Sequence, residues 1–149
     1  MIHIFNYSFD EEEITRKYFD TEFECYKDPR WDKFNEKWQI AKVDKWDYAD
    51  KLCQDLGING RPRFYYLGSG QQLLPHVDNG TKCSINFILG DDYAPIVVDG
   101  NKYMYKSCLL NCQVVHSVPA YHEHRRLFKL SIFDKSYDEV YEIIKEKVK

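Results

Sequence analysis

A histidine and an aspartate two positions apart, His76 and Asp78, form the segment with the clearest potential for chemistry. The pair ends an apolar stretch, and residues i and i+2 of a β-strand point to the same side of a sheet. The imidazole and the carboxylate would therefore leave one rigid element toward one point in space. The pattern allows two interpretations, a metal-binding pair or the beginning of the Asp-Asn-Gly turn that follows.

A second histidine, His116, lies within another apolar run, Cys112 to Val118. A histidine in such a run is often a core residue whose ring is satisfied by hydrogen bonds. If the run is a strand of the same curved sheet, however, His116 can meet His76 and Asp78. Two imidazoles and one carboxylate on one face are the ligand set of non-heme Fe(II) oxygenases, so we favour a metal centre.

The overall composition is that of an ordinary globular domain. The chain has 149 residues, of which 44% are hydrophobic and 30% charged, and this length predicts a single domain. The net charge of −3 provides no basic field for nucleic acid and no polybasic patch for a membrane surface. We therefore expect neither a nucleic-acid nor a membrane partner.

The N-terminal residues and the cysteines indicate a cytoplasmic protein. The chain begins without the charged and long apolar regions of a signal peptide, and no apolar run approaches the length that spans a bilayer. The five cysteines are odd in number and form no Cys-x-x-Cys pair. This pattern argues for reduced thiols and against a structural zinc site.

Turn signals divide the second half of the chain into short strands. We predict strands over residues 61–67, 72–78, 82–89, 94–98, 102–105, 109–118 and 126–133. The aromatic content of 16% suits a β-rich core. Closely spaced strands joined by turns predict a barrel or a sandwich.

Helices are predicted on both sides of this strand region. Asp10 can cap a helix whose apolar spacing extends to Tyr26, and a second helix is predicted over residues 44–56. Ser136 can cap a terminal helix with one apolar stripe. The expected organisation is an N-terminal helical support over about residues 9–58, a barrel core over about 61–134 and a C-terminal helix over about 136–149. The helices would cover one outer face of the barrel.

The order of the candidate site residues resembles that of a known family. From Tyr66 through the His76-x-Asp78 pair and His116 to Arg126, it is similar to the Fe(II)- and 2-oxoglutarate-dependent oxygenases. It looks most like the prolyl-hydroxylase-like group, including its short bacterial and phage members. The resemblance covers roughly residues 61–134 and implies a mainly β fold with flanking helices. That fold is a double-stranded β-helix, a jelly-roll or cupin-like barrel.

The resemblance also implies a reaction and a set of ligands. His76, Asp78 and His116 would hold Fe(II), which leaves three positions for 2-oxoglutarate and O2. Tyr66 would hydrogen-bond the distal carboxylate of 2-oxoglutarate. The family decarboxylates this cosubstrate to succinate and CO2 and hydroxylates a C–H bond of its substrate.

The basic residue that would bind the same carboxylate has three candidates. Arg125 and Arg126 follow His116 by nine and ten positions, and we choose Arg126 because a strand follows it directly. Lys129, with Ser131 two positions on, resembles the Arg-x-Ser pattern of the family. Strand parity places Arg126 on the face opposite to the other candidates, and either face can point inward.

Four other polar residues lie near these motifs. Ser84 and Asn86 occupy the polar face of their predicted strand, where they either line the cosubstrate pocket or form a buried pair. His122 and His124 lie in a polar loop, and we interpret them as surface or substrate-loop residues.

The leading hypothesis is a dioxygenase that hydroxylates a protein or peptide side chain, with proline as one candidate, or a small molecule. So short a barrel leaves little room for a large lid, which suggests an open site for a peptide or polymer end. The alternative is a non-catalytic, cupin-like barrel that binds a metal or ligand and has no need of the basic residue after His116. A zinc hydrolase would need a general-base carboxylate beside the metal ligands, and the sequence shows no such motif.

Overall fold

A computed structural model describes residues 1–25 and 39–148, which form two antiparallel sheets and three helices. In chain order the elements are β1 (Ile2–Ile4), α1 (Glu11–Phe19), β2 (Glu24–Cys25), β3 (Gln39–Lys42), α2 (Asp47–Leu56), β4 (Gly60–Leu67), β5 (Leu73–His76), β6 (Cys83–Leu89), β7 (Ile96–Val98), β8 (Asn101–Tyr103), β9 (Ser107–Asn111), β10 (His116–Val118), β11 (Arg125–Ile132) and α3 (Tyr137–Ile144). None of the described helices is long and apolar enough to cross a bilayer.

After β4 the chain passes repeatedly between the two sheets, and the β7–β8 hairpin lies wholly in the smaller one. The larger sheet has the order β1-β9-β6-β11-β4-β3-β2, and the smaller sheet has the order β5-β10-β7-β8. Residues of both sheets line one cavity. This arrangement confirms the predicted fold, a mainly β jelly-roll with flanking helices.

Strand β11 lies between β6 and β4 near the middle of the larger sheet, and its two faces differ in character. Phe128 and Leu130 belong to the core cluster that packs against the helices. Arg125 and Lys129 line the cavity on the other side. The polar face of β11 is therefore the inner one.

The main core lies between the larger sheet and the helices. Phe64 and Phe128 are fully buried with ring centroids 5.3 Å apart, and the Trp46 ring lies 5.8 and 5.3 Å from them. Burying one such side chain contributes about 1.5–3 kcal/mol. Ile14 of α1 and Val140 of α3 join the same cluster. The helices thus cover one outer face of the barrel, as predicted.

Helix α1 is shorter than its apolar spacing predicts. Asp10 caps it, since its carboxylate accepts a hydrogen bond of 3.0 Å from the backbone N–H of Glu13. The helix ends at Phe19, and by Glu24 the chain has entered β2, which pairs with β3. The prediction that the helix continues toward Tyr26 is wrong over the described residues, and Tyr26 itself lies outside them.

The predicted strand over residues 109–118 is two strands. The backbone N–H of Val114 donates to the carbonyl oxygen of Asn111 (3.2 Å), and the N–H of Gln113 donates to the Asn111 side-chain oxygen (3.0 Å). These bonds form a tight turn of the kind that asparagine favours. The turn takes the chain from β9 in the larger sheet to β10 in the smaller sheet, which carries His116.

Candidate metal centre

Strands β5 and β10 place two imidazoles side by side. His76 and His116 are direct partners in this antiparallel pair, with ring centroids 4.3 Å apart. The Nδ1 of His76 lies 2.7 Å from the carbonyl oxygen of Leu74, and the Nδ1 of His116 lies 2.8 Å from that of Val114. Because a carbonyl oxygen only accepts, each Nδ1 carries the hydrogen, and each Nε2 keeps a lone pair for a metal.

Asp78 supplies the third donor atom. Its Oδ1 lies 3.3 Å from the Nε2 of His76 and 3.2 Å from the Nε2 of His116. The backbone of Asp78 is held in place, since its N–H donates to the carbonyl oxygen of Cys112 (2.9 Å). The structure therefore brings together the three residues that the sequence pattern singled out.

The spacing of these donor atoms fits a first-row metal ion. Two donors that bind such an ion at about 2.1 Å and at a right angle to one another are about 3.0 Å apart. The two distances between Asp78 and the histidines are close to this value. Two neutral imidazoles and one carboxylate on one triangular face suit Fe(II) and leave the opposite face open.

An ammonium group lies behind the carboxylate. The Nζ of the buried Lys129 is 3.7 Å from the Oδ2 of Asp78 and 5.1 Å from the ring centroid of Tyr65. Burial alone would raise the pKa of Asp78, but the Lys129 ammonium holds that pKa well below its usual range. Burial alone would lower the pKa of Lys129, but Asp78 raises it above its usual range. Asp78 is therefore ionised, as a metal ligand must be.

Arg125 is a buried cation with neutral partners. Its guanidinium donates to the carbonyl oxygen of Ala94 (2.7 Å) and to the hydroxyl of Tyr105 (3.1 Å), and the residue is 6% exposed. Within residues 1–25 and 39–148 it forms no ion pair with a carboxylate. Since an unpaired buried charge is unfavourable, this group is suited to receive an anion that enters the cavity.

Arg126, the predicted cosubstrate ligand, points away from the cavity. Its guanidinium carbon lies 5.1 Å above the ring centroid of Phe19, beside Tyr18. The alternation that directs Arg125 and Lys129 inward sends Arg126 outward toward α1. The choice of Arg126 is therefore corrected, because the inward-facing arginine is Arg125.

Tyr66 lies between the cavity and the main core. It lines the edge of the cavity, but its ring also packs against the outer core and lies 5.9 Å from the ring of His124. Its neighbour Tyr65 faces inward beside Lys129. Tyr65 is a cavity residue that the sequence reasoning missed, although the parity of β4 relative to Phe64 in the core could have indicated it.

A second missed residue, Tyr105, links the candidate polar pair to the buried arginine. The hydroxyl of Ser84 donates to the Oδ1 of Asn86 (2.8 Å), and the amide of Asn86 donates to the Tyr105 hydroxyl (3.3 Å). Burial raises the pKa of Tyr105 to about 12, so its hydroxyl stays neutral at ordinary pH. Asn86 and Tyr105 line the cavity, whereas Ser84 is fully buried and does not line it. The hydroxyl of Ser131 is buried and has no hydrogen-bond partner among the described residues.

The two loop histidines lie outside the metal centre. His122 is exposed and its Nε2 is 2.8 Å from the Oδ2 of Asp92, whose Oδ1 accepts a hydrogen bond from the hydroxyl of Tyr121. The Nδ1 of His124 is 3.3 Å from Glu123. These contacts agree with the interpretation of both histidines as loop residues.

The cavity between the sheets has a volume of about 290 Å³ and is lined by Tyr65, Tyr105, Arg125 and Lys129 together with the three metal-binding candidates. Arg125 and Tyr105 form one polar group in its lining, the three metal-binding candidates form another, and apolar side chains complete the wall. Asp78 is the only carboxylate that lines it among the described residues. The cavity therefore combines a candidate metal site with a buried arginine that could receive an anion.

No protein-family model and no curated protein matches the sequence of this chain. Solved structures do match its fold. A prolyl-4-hydroxylase from Pseudomonas putida is 15% identical, with a TM-score of 0.59 over 83% of this chain and 84% of that one. A prolyl hydroxylase from Trichoplax adhaerens, in complex with a hypoxia inducible factor peptide fragment, is 16% identical, with a TM-score of 0.63 over 83% and 76%. The viral collagen prolyl hydroxylase of Paramecium Bursaria Chlorella virus-1, in complex with 2OG, is 9% identical, with a TM-score of 0.61 over 83% and 90%.

These similarities define the class of fold. The chain has the double-stranded β-helix fold of the prolyl hydroxylases and of a protein of the 2OG-Fe(II) oxygenase family from Burkholderia pseudomallei. The same fold was expected from the order of the site residues.

Proposed function

We propose that this protein is an Fe(II)- and 2-oxoglutarate-dependent dioxygenase. It hydroxylates a C–H bond of a protein or peptide side chain, with proline as one candidate, or of a small molecule, and it releases succinate and CO2. One observation carries the proposal: a single cavity contains both the His76, Asp78 and His116 donor set and the guanidinium of Arg125, which has no carboxylate partner among the described residues. A metal-bound keto acid with a distal carboxylate matches both features.

The three donor residues would hold Fe(II), which activates O2 for oxidative decarboxylation and C–H hydroxylation when it is bound. The hydrogen bonds from the imidazole Nδ1 atoms to Leu74 and Val114 fix the rings, so that both Nε2 atoms face Asp78. Lys129 engages the other carboxylate oxygen of Asp78. The donor set is thus oriented before a metal binds.

Arg125 and Tyr105 would bind the distal carboxylate of 2-oxoglutarate. The guanidinium can donate parallel hydrogen bonds to a carboxylate, and the low polarity of its surroundings strengthens such bonds. Asn86 holds the Tyr105 hydroxyl in place. Apolar residues on the cavity wall, such as Ile96 and Val118, would contact the methylene groups and exclude water.

The structure supports this function over the two alternatives. A cupin-like barrel that only binds a metal has no need of an unpaired arginine beside the metal site. A zinc hydrolase needs a general base, and Asp78 is the only carboxylate lining the described cavity and already belongs to the donor set.

We also propose that the protein acts in the cytoplasm. Cys53, Cys83, Cys108 and Cys112 are free thiols, and three of them are buried. Burial raises the pKa of Cys83 and of Cys112 to about 12, which keeps these thiols protonated.

Anaerobic titration with Fe(II) and 2-oxoglutarate tests the proposed function. We expect a visible charge-transfer band that requires both components, and succinate formation once O2 is admitted. The His76→Ala variant should lose both signals. Absence of the band in the wild-type protein, or unchanged succinate formation by the variant, would overturn the proposal.

A further inference from the structure

Two guanidinium groups contact one aromatic ring at the mouth of the cavity. Arg61 and Arg63 lie two positions apart on β4, and Phe133 directly follows β11, the neighbouring strand. The guanidinium carbons of Arg61 and Arg63 are 4.9 and 5.2 Å from the Phe133 ring centroid. Arg63 and Phe133 line the same cavity as the metal-binding candidates. The ring holds two like charges together beside the site.

These two charges have no carboxylate partner among the described residues. Lys129, the third cation on this part of the inner face, is paired with Asp78. The chain as a whole carries a net charge of −3, so the positive charge of Arg61 and Arg63 at the mouth is opposite in sign to that of the whole protein. Two neighbouring cations repel each other, and an anionic group between them would relieve this repulsion.

The mouth is separate from the proposed cosubstrate site. Arg63 is the partner of Lys129 across the sheet, and Arg125 lies four residues from Lys129 along β11. Four residues of a strand span about 13 Å. Arg125 and Arg63 therefore line different parts of the cavity, with Arg63 beside the Lys129 and Asp78 ion pair. The cosubstrate would bind Arg125 and leave Arg63 for another anion.

The size of the cavity indicates where the rest of the substrate lies. A volume of about 290 Å³ is at the lower limit for a ligand pocket. It accommodates the cosubstrate together with little more than one side chain. A substrate with further groups must extend across the mouth, where it meets Arg61, Arg63 and Phe133.

We infer that Arg61, Arg63 and Phe133 bind an acidic side chain of a peptide substrate, close in sequence to the residue that enters the cavity. This inference rests on the proposed function and names its substrate class. A forked guanidinium pair matches one carboxylate, and the Phe133 ring beside both arginines gives the adjoining peptide an apolar contact. A polyanion such as nucleic acid would need a longer basic stripe and would be repelled by the net negative charge of the chain.

Peptide binding to the anaerobic complex with Fe(II) and 2-oxoglutarate tests this inference without turnover. The probes are fluorescein-labelled peptides with a central proline and a single glutamate at successive distances from it, each paired with its glutamine counterpart. We expect the glutamate peptide to bind about tenfold more tightly than the glutamine peptide at one or a few distances, measured by fluorescence anisotropy. Arg63→Gln and Arg61→Gln should each reduce that ratio.

Arg126→Gln is the matched control, since it removes the same charge from the outer face of the sheet. It should leave the ratio unchanged, and the charge-transfer band should show that all variants are folded. Equal binding of glutamate and glutamine peptides at every distance would overturn the inference, as would an equal loss in Arg126→Gln. Tighter binding of oligothymidylate, or of free glutamate, than of every glutamate peptide would overturn the peptide assignment. The band reports on the proposed function independently of the peptide measurements.

Discussion

The Lys129 ammonium lies beside one oxygen of the Asp78 carboxylate and leaves the other oxygen to the two imidazoles. The Oδ2 of Asp78 lies 3.7 Å from the Lys129 ammonium, while the Oδ1 faces both imidazoles. Lys129 belongs to the larger sheet, and the histidines belong to the smaller one. The ion pair thus orients a candidate metal ligand from across the barrel.

Lys129→Met should weaken Fe(II) binding by about 10- to 100-fold, the usual effect of removing a partner that orients a metal ligand. Lys129→Arg should retain part of the affinity, because it keeps the charge. Anaerobic Fe(II) titration measures both effects, with Lys102→Met on the exposed strand β8 as the control. Equal affinities of Lys129→Met and the wild-type protein would show that the ion pair does not support the metal site.

Arg125→Gln should weaken 2-oxoglutarate binding by about 10- to 100-fold, because it removes hydrogen bonds to a charged group that are together worth about 1.5–3 kcal/mol. Arg126→Gln should leave this affinity unchanged, since its side chain stacks on Phe19. The dependence of the charge-transfer band on 2-oxoglutarate concentration measures both. If Arg126→Gln weakened 2-oxoglutarate binding and Arg125→Gln did not, Arg126 would be the cosubstrate ligand after all.

Tyr105 should make stability depend on pH in the alkaline range. Burial raises its pKa from 10.0 to about 12 in the folded protein. The unfolded chain therefore loses this proton first, so the contribution of Tyr105 is complete below about pH 10 and is lost as the pH rises toward 12. The free energy of unfolding of Tyr105→Phe, from urea denaturation, should fall less steeply over this range than that of the wild-type protein. If the free energy of unfolding depended on pH in the same way in both proteins, the burial of this hydroxyl would be contradicted.

Phe128→Ala should reduce the free energy of unfolding by about 3–5 kcal/mol, because it leaves a cavity between β11 and the helices. Phe128 is fully buried against Phe64 and Trp46. Phe19→Ala is a suitable control, since Phe19 is 65% exposed and its loss should change stability by less than about 0.5 kcal/mol. Urea denaturation compares the two, and similar losses would contradict the described core.

Periodicity and turn signals predicted a barrel or a sandwich, and the resemblance to the oxygenase family then implied a jelly-roll in which His76, Asp78 and His116 meet. They failed within residues 109–118, because an apolar run shows where a strand is favoured but not where the chain changes sheets. The turn at Asn111 depends on its side chain accepting the N–H of Gln113, a local hydrogen bond within an otherwise apolar run.

The choice between Arg125 and Arg126 failed for a different reason. Spacing from His116 allowed both, and only the packing of the helices decides which face of β11 points outward. Phe128 and Leu130 share the parity of Arg126, so that face is the apolar one. Comparing the two faces of the strand for polarity would have pointed to Arg125, and the same test on β4 would have pointed to Tyr65.

The turn between β9 and β10 has a consequence for folding. It places His116 in the smaller sheet, while the carbonyl oxygen of Cys112, within the same connection, holds the backbone of Asp78. Metal donors and their supports thus come from segments that are far apart in the chain and meet only when both sheets have closed. A bound ion would cross-link β5 to β10 within the smaller sheet, so we expect it to slow amide hydrogen exchange in these two strands together.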